Sequence, residues 1–164
     1  MERLHAYWRM DFVEAPLDPD DGNPFQELPE KPDHEAFIIH RGETIYLMLN
    51  RFPYNAGHLL AVPFRQVNKL SELFKNERSE LMETIVLGQN LLTEAFEPDG
   101  FNVGFNMGNA GGATLSSHLH CHIVPRWEGD TNFMPVIATT RVLPASLEAI
   151  WKRLREVFTA QNSS

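Results

Sequence analysis

Apolar residues recur along the chain with two different periods. In "AFIIH" (36–40) and "TIYLMLN" (44–50) they gather into short runs rich in β-branched and large side chains, split by "RGE", a spacing that predicts a β-hairpin. "HLLAVPF" (58–64) predicts a third strand after the turn signal "PYNAG". From Glu77 to Phe96 the period changes: Leu81, Met82, Ile85, Leu92 and Phe96 fall near helical spacing, so one face of a main helix can pack on that sheet. "FNVGFNMG" (101–108) then returns as a strand, "NAGGATLSS" (109–117) is a glycine-rich loop, and "HLHCHIVPR" (118–126) alternates like a strand. After Pro144, the residues Leu147, Ile150, Trp151, Leu154, Val157 and Phe158 form an i, i+3, i+4, i+7 stripe that predicts a C-terminal helix. The predicted class is α+β, an antiparallel sheet of about five strands with the two helices packed on it. Residues 15–34 carry five prolines and many acids and predict a connecting arm, not a helix.

Composition narrows this picture. At 164 residues and 43% hydrophobic content the chain has the size of a single domain, 1–164, with a core of its own. The formal charge of −8 argues against a surface that wraps DNA or RNA, which needs a basic stripe, but leaves room for a small anionic ligand held by a local cluster. Cys121 is the one cysteine, so no internal disulfide is expected; "MERLHAYWRMDF" lacks the apolar run of a secretory signal, and no stretch reaches a membrane span. These features predict a soluble, cytoplasmic protein with neither nucleic-acid nor membrane partners.

Three of the seven histidines stand at alternate positions, His118, His120 and His122. On an extended segment they share one face, while Leu119, Cys121 and Ile123 share the other. Same-face imidazoles roughly 7 Å apart disfavour full protonation of the set, which keeps rings neutral near pH 7. A neutral imidazole can act as nucleophile, general base or metal ligand. His5, His34 and His40, each isolated, are expected to be ordinary surface or core residues. For the row of three, nucleophilic catalysis is favoured because the preceding loop points to an anion. A metal site completed by Glu128 or Asp130, and a purely structural role, are the alternatives. In that loop glycines allow close backbone approach, consecutive N–H groups can form an anion nest, and Thr114, Ser116 and Ser117 add hydroxyl donors. Phosphate is the natural guest, and an imidazole beside it suggests attack on phosphorus through a phosphohistidine-type intermediate.

The string "HLHCHIV" resembles the signature of the histidine triad (HIT) superfamily, His-x-His-x-His followed by two apolar residues. The resemblance extends over most of the chain, through "NRFPYNAGHLLAVP" and "GFNMGNAGGATLSSHLHCHIVPRW". "YWRM", "PYNAGHLLAVPFR" and "HLHCHIVPRWEGDTNF" are most similar to the bacterial diadenosine tetraphosphate phosphorylase branch. The resemblance implies an HIT-like fold and a nucleotidyl transfer. His120 would be the nucleophile, attacking through Nε2; His122 would contact the phosphate near the bridging oxygen; His118 and His58 would orient the set. Asn50 would hold a ribose hydroxyl, and Asn106, Thr114 and Ser116 would contact phosphate. Trp127 follows closely enough to cover a base or phosphate, with simple packing the equal alternative.

The implied reaction converts diadenosine tetraphosphate and inorganic phosphate to ADP and ATP. The alternatives are a hydrolase of dinucleoside polyphosphates or nucleoside phosphoramidates, or a non-catalytic nucleotide-binding protein. No tightly bound cofactor is implied, beyond magnesium accompanying the nucleotide substrate, and a homodimer or higher homo-oligomer is expected, with Val86, Leu87 and Leu91 broadening the helix stripe. Two departures from the family pattern stand out. Where many bacterial relatives carry a zinc-binding Cys-x-x-Cys pair this chain has "NPFQ", Asn23 to Gln26, so no zinc is expected there. Thr114 replaces a common glutamine, and Ala113 a common glycine, in the phosphate loop.

Overall fold

A computed structural model describes residues 22–112, 115, 117–130 and 145–163. Five strands form one sheet: β1 (Ile38–Arg41), β2 (Ile45–Leu49), β3 (Leu59–Pro63), β4 (Gly100–Phe105) and β5 (Cys121–Arg126), in the spatial order β1-β2-β3-β5-β4. Every neighbouring pair is antiparallel. The pairing of β3 with β5 sets the two faces. Leu59 opposes Ile123 and Ala61 opposes Cys121 on one face, while Leu60 opposes His122 on the other.

The first face carries the larger core. Ile39, Ile45, Leu47, Leu49, Leu59, Cys121 and Ile123 pack there against Leu81, Ile85, Leu91 and Leu92 of the helix Lys75–Phe96 and against Ile150 and Leu154 of the helix Leu147–Gln161. Each fully buried Leu or Ile side chain there stabilises the fold by roughly 1.5–3 kcal/mol. Gly88 lets the long helix lie close to the sheet, since a Cβ there would stand 3.0 Å from Ile123 Cδ1 and 3.4 Å from Leu47 and Leu59. The C-terminal helix is also tied to the edge strand β1, whose register shifts between Ile38 and His40. At that irregularity the Trp151 indole N–H donates to Ile38 O (2.9 Å) and Arg155 to Ile39 O (2.6 Å), supplying partners to carbonyls outside the regular ladder.

The second face is covered by the segment before β1. Phe25, Leu28 and Ala36 pack on Ile38, Tyr46, Met48, Leu60 and Val62. This part of the arm differs from its prediction, because it folds into helical turns at Pro24–Glu27, Leu28–Glu30 and Asp33–Ala36. Its prolines stand at the starts of these turns, where they initiate helix and do not break it. Asn23 caps the first through its side chain, Pro24 occupies an opening position, Pro29 does the same in the second, and Pro32 is the N-cap of the third. A proline in the first turn loses no hydrogen bond, since its N–H would have had no partner within the helix.

Three other expectations need correction. Met82 is 59% exposed, off the buried face of the long helix. Leu91 is fully buried within the chain's own core and Leu87 packs against that core, so only Val86 of the three broadening residues stands exposed. The last strand begins at Cys121, which leaves His118 and His120 ahead of it. Among the described residues no helix is long and apolar enough to cross a membrane.

Candidate active site

Although only His122 of the three lies within β5, the alternation of faces holds across all of them: Leu119, Cys121 and Ile123 enter the large core, and the three imidazoles stand on the opposite side. His58 joins them from the residue before β3, its Nε2 3.0 Å from His122 Nδ1. The turn preceding His58 depends on Gly57, which sits at φ +78 and where an added Cβ would stand 3.0 Å from Leu92 Cδ2, so a side chain there would be both strained and crowded.

Main-chain partners fix the ring protonation. The Tyr54 N–H donates to His58 Nδ1 (3.0 Å), so a neutral His58 carries its hydrogen on Nε2 and donates it to His122 Nδ1. His122 in turn carries its own hydrogen on Nε2. Asn106 Nδ2 lies 3.4 Å from that nitrogen, a longer contact and one whose amide ends can exchange, whereas a main-chain N–H cannot. Asn50 supports the same pattern: its oxygen accepts from Phe52 N (3.0 Å), turning its amide nitrogen toward His58 Nδ1 at 3.4 Å. The Tyr54 ring stacks on His58, with centroids 4.8 Å apart.

His120 is oriented independently. Its Nδ1–H donates to His118 O (2.8 Å), leaving Nε2 with its lone pair. Burial pushes the His120 imidazole below its usual pKa, opposed by that hydrogen bond. His118 is likewise held down by burial, with its bond to Pro63 O opposing and the nearby His120 reinforcing the shift. Both rings are thereby favoured in their neutral form.

Two cavities flank His122. The inner one, about 410 Å³, is lined by His120, His122, Asn50 and Asn106 together with an apolar wall that includes Phe25, Leu28, Met48, Leu60 and Leu115. The outer one, about 420 Å³, runs along β4 and β5 past Tyr54, Asn102, Gly104, Asn106 and Arg126. Gly104 lies directly opposite His122 in the sheet, and a Cβ built on it meets nothing within 4 Å. The wall residues Phe25 and Leu28 escaped the sequence reading; their i, i+3 spacing in "PFQEL" was the one local signal of a buried face.

The remaining expected residues separate. Thr114 and Ser116 lie outside the described residues. Trp127 lines neither cavity, and its indole N–H donates to Phe96 O (3.3 Å) at the end of the long helix. Asp130, considered for metal binding, accepts from Arg126 at 2.7 and 2.8 Å and from Asn55 at 2.8 Å, which anchors the end of β5. Glu128 is exposed, and no group of three or more His, Cys, Asp or Glu side chains with metal-holding geometry occurs among the described residues. At Asn23–Gln26 a zinc ion does not fit: Asn23 presents an amide N–H to His118, Phe25 is apolar, and Gln26 points to solvent.

Comparison with known proteins agrees with this geometry. The chain is 40% identical over 154 residues to a protein named AP-4-A phosphorylase from Mycobacterium tuberculosis, covering 90% of this chain and 79% of the relative. It is 29% identical over 93 residues to a bis(5'-nucleosyl)-tetraphosphatase (asymmetrical) from Schizosaccharomyces pombe, covering 57% of this chain and 50% of that protein. Among solved structures, a histidine triad nucleotide-binding protein from Sulfolobus tokodaii superposes with a TM-score of 0.69 at 23% identity, over 85% of this chain and 94% of that one. A zinc-bound histidine triad family protein from Mycobacterium smegmatis gives 0.66 at 20% identity, over 85% and 94%. The HIT domain model matches residues 31–129, which contain all five strands of the sheet, all four site histidines and the whole lining of the outer cavity, and the chain therefore belongs to the HIT family.

Proposed function

We propose that this protein is a nucleotidyl transferase that cleaves dinucleoside polyphosphates by phosphorolysis, converting diadenosine tetraphosphate and inorganic phosphate to ADP and ATP. The observation that carries the reading is His120, a buried imidazole whose Nδ1–H is tied to the main chain and whose ring lines the inner cavity beside His122. His120 Nε2 attacks the α-phosphorus of one adenosine; the P–N bond forms as the bond to the bridging oxygen breaks, and ATP departs. His122, with hydrogen on Nε2, donates to the departing oxygen, and His58 holds it in that state. Inorganic phosphate then displaces the adenylyl group from His120 as ADP. Asn50 takes a ribose hydroxyl, the apolar wall of the inner cavity takes the base, and Asn106 with Thr114 and Ser116 contacts phosphate oxygens. His118 orients the row.

Phosphorolysis is preferred to hydrolysis on the 40% identity to the M. tuberculosis protein named a phosphorylase. Incubation with diadenosine tetraphosphate and phosphate tests it directly: ADP with ATP is the expected product pair. AMP with ATP would transfer the reading to a hydrolase, toward which the S. pombe relative's name points, and intact substrate with retained nucleotide affinity would make the protein a binding module. The enzyme acts in the cytoplasm as a homodimer. Support for the dimer comes from β4, an edge strand with Val103 44% exposed, and from Met82 and Val86, one turn apart on the long helix and exposed. Light scattering at micromolar concentration should return twice the chain mass.

A further inference from the structure

We propose that Asn23 is a positioning residue for His120, acting through His118. This rests on the reading of His120 as the nucleophile. The ladder of β5 begins only at Cys121, so His120 lies outside the hydrogen bonds that fix the sheet. Its placement depends on what holds residues 118–120. Leu119 N–H donates to Val67 O (2.6 Å), and the His118 carbonyl receives the Nδ1–H of His120 (2.8 Å). That carbonyl is only as well placed as His118 itself. The His118 ring, 1% exposed, is clamped at both nitrogens: Nε2–H donates to Pro63 O (2.8 Å), and Nδ1 accepts from Asn23 Nδ2 (2.8 Å), across 95 residues of sequence.

The direction of the Asn23 bond is fixed by chemistry. Asn23 Oδ1 accepts from Phe25 N (3.1 Å) as the helix cap, and a main-chain N–H can only donate, so the amide nitrogen is the end that faces His118. A carbonyl at the other side of the ring can only accept, so His118 Nε2 bears the hydrogen and Nδ1 the lone pair. The amide of Asn23 thus holds the ring in place and favours its neutral form, keeping a positive charge away from His120. Phe25, two residues on, packs against both rings at centroid distances of 4.9 Å from His120 and 5.5 Å from His118, so cap, clamp and cavity wall belong to one short turn.

Two substitutions separate the clamp from the cap. Serine and aspartate both serve as N-caps. Asn23→Ser keeps the cap but is too short to reach His118. It should form the adenylyl-enzyme about tenfold to 100-fold more slowly in single turnovers at saturating diadenosine tetraphosphate, the scale of a misplaced reacting group, with nucleotide Kd unchanged. Asn23→Asp keeps the cap but offers His118 Nδ1 only an acceptor. Nitrogen-15 spectra of the imidazoles at pH 7 should then show His118 doubly protonated, against a neutral Nε2–H ring in the unsubstituted protein. A merely structural cap would move neither readout. An unchanged single-turnover rate in Asn23→Ser, or a neutral His118 in Asn23→Asp, would overturn the proposal. Absence of any adduct in the unsubstituted protein would instead defeat the nucleophile reading, and the spectra would still report on the clamp.

Discussion

Replacing His58 by leucine distinguishes orientation from proton transfer in the His58–His122 pair. Leucine keeps much of the ring's volume and its contact with the Tyr54 ring, while removing the acceptor of Tyr54 N–H and the donor to His122 Nδ1. Each lost neutral hydrogen bond costs about 0.5–1.5 kcal/mol. Only the bond to His122 bears on the reaction, so kcat/KM should fall by a factor of about 2 to 13, from the same energy range taken as a barrier change. Loss of both bonds should lower stability by about 1–3 kcal/mol, equivalent to about 2–12 °C in Tm for a chain of this size. A true proton relay would behave differently, because removing a general acid or base typically costs about 100- to 10,000-fold. Steady-state kinetics with diadenosine tetraphosphate and phosphate, paired with a thermal melt, separates the cases. A loss above 100-fold in a folded variant would refute the orienting role and make His58 part of the proton path; an unchanged kcat/KM would show that His122 needs no such partner.

His120→Ala should reduce turnover by several orders of magnitude and abolish the nucleotidyl adduct seen by intact mass, while nucleotide affinity persists, since the apolar wall and Asn50 remain; an active variant would end the covalent mechanism. Tyr46→Phe removes the buried hydroxyl that donates to Phe25 O at 2.8 Å, so the turn forming the cavity wall loosens: about 1 kcal/mol of stability should be lost and nucleotide Kd should rise, both checked by melting with and without nucleotide. The Glu77 carboxyl is held below its ordinary value of 4.5 by Arg65, with burial opposing and Phe74 N–H assisting. Its contribution is therefore complete above the unfolded value and declines as pH falls through the lower folded value; in Glu77→Gln that part of the acid-side loss of stability should vanish from urea titrations run between neutral and acidic pH.

Strands such as Leu59–Pro63, buried along its whole length, were legible as short apolar runs between turn signals, and the two long helices by a buried face whose period appears directly in the sequence, as at Ile150 and Leu154. The arm was misread for a local reason: Pro24, Pro29 and Pro32 were weighed as breakers, but a breaker inside a helix is an initiator at its start, and only the capping residue decides which. Met82 shows the limit of counting apolar positions, since near-helical spacing also admits residues at the margin of the stripe. At the site, the histidine row announced itself by alternation. The wall of the inner cavity did not, because Phe25 meets Leu60 and Met48 only after the arm has folded across the sheet, a contact with no local trace. Trp127 lies close in sequence to the triad, but its indole is held by Phe96 O at the end of the long helix.

Gly104 gives the outer cavity an adjustable depth. Since a Cβ at this position meets no atom, a larger side chain could be introduced without forcing the sheet apart, and strand propensity would favour the change over glycine. The new bulk would stand across the strand from His122, within the outer cavity, the space we propose for the departing part of a substrate. A graded series at residue 104, from alanine to valine to phenylalanine, therefore acts as a ruler: the size at which long polyphosphate chains are rejected while short ones still react measures how far the substrate extends past His122.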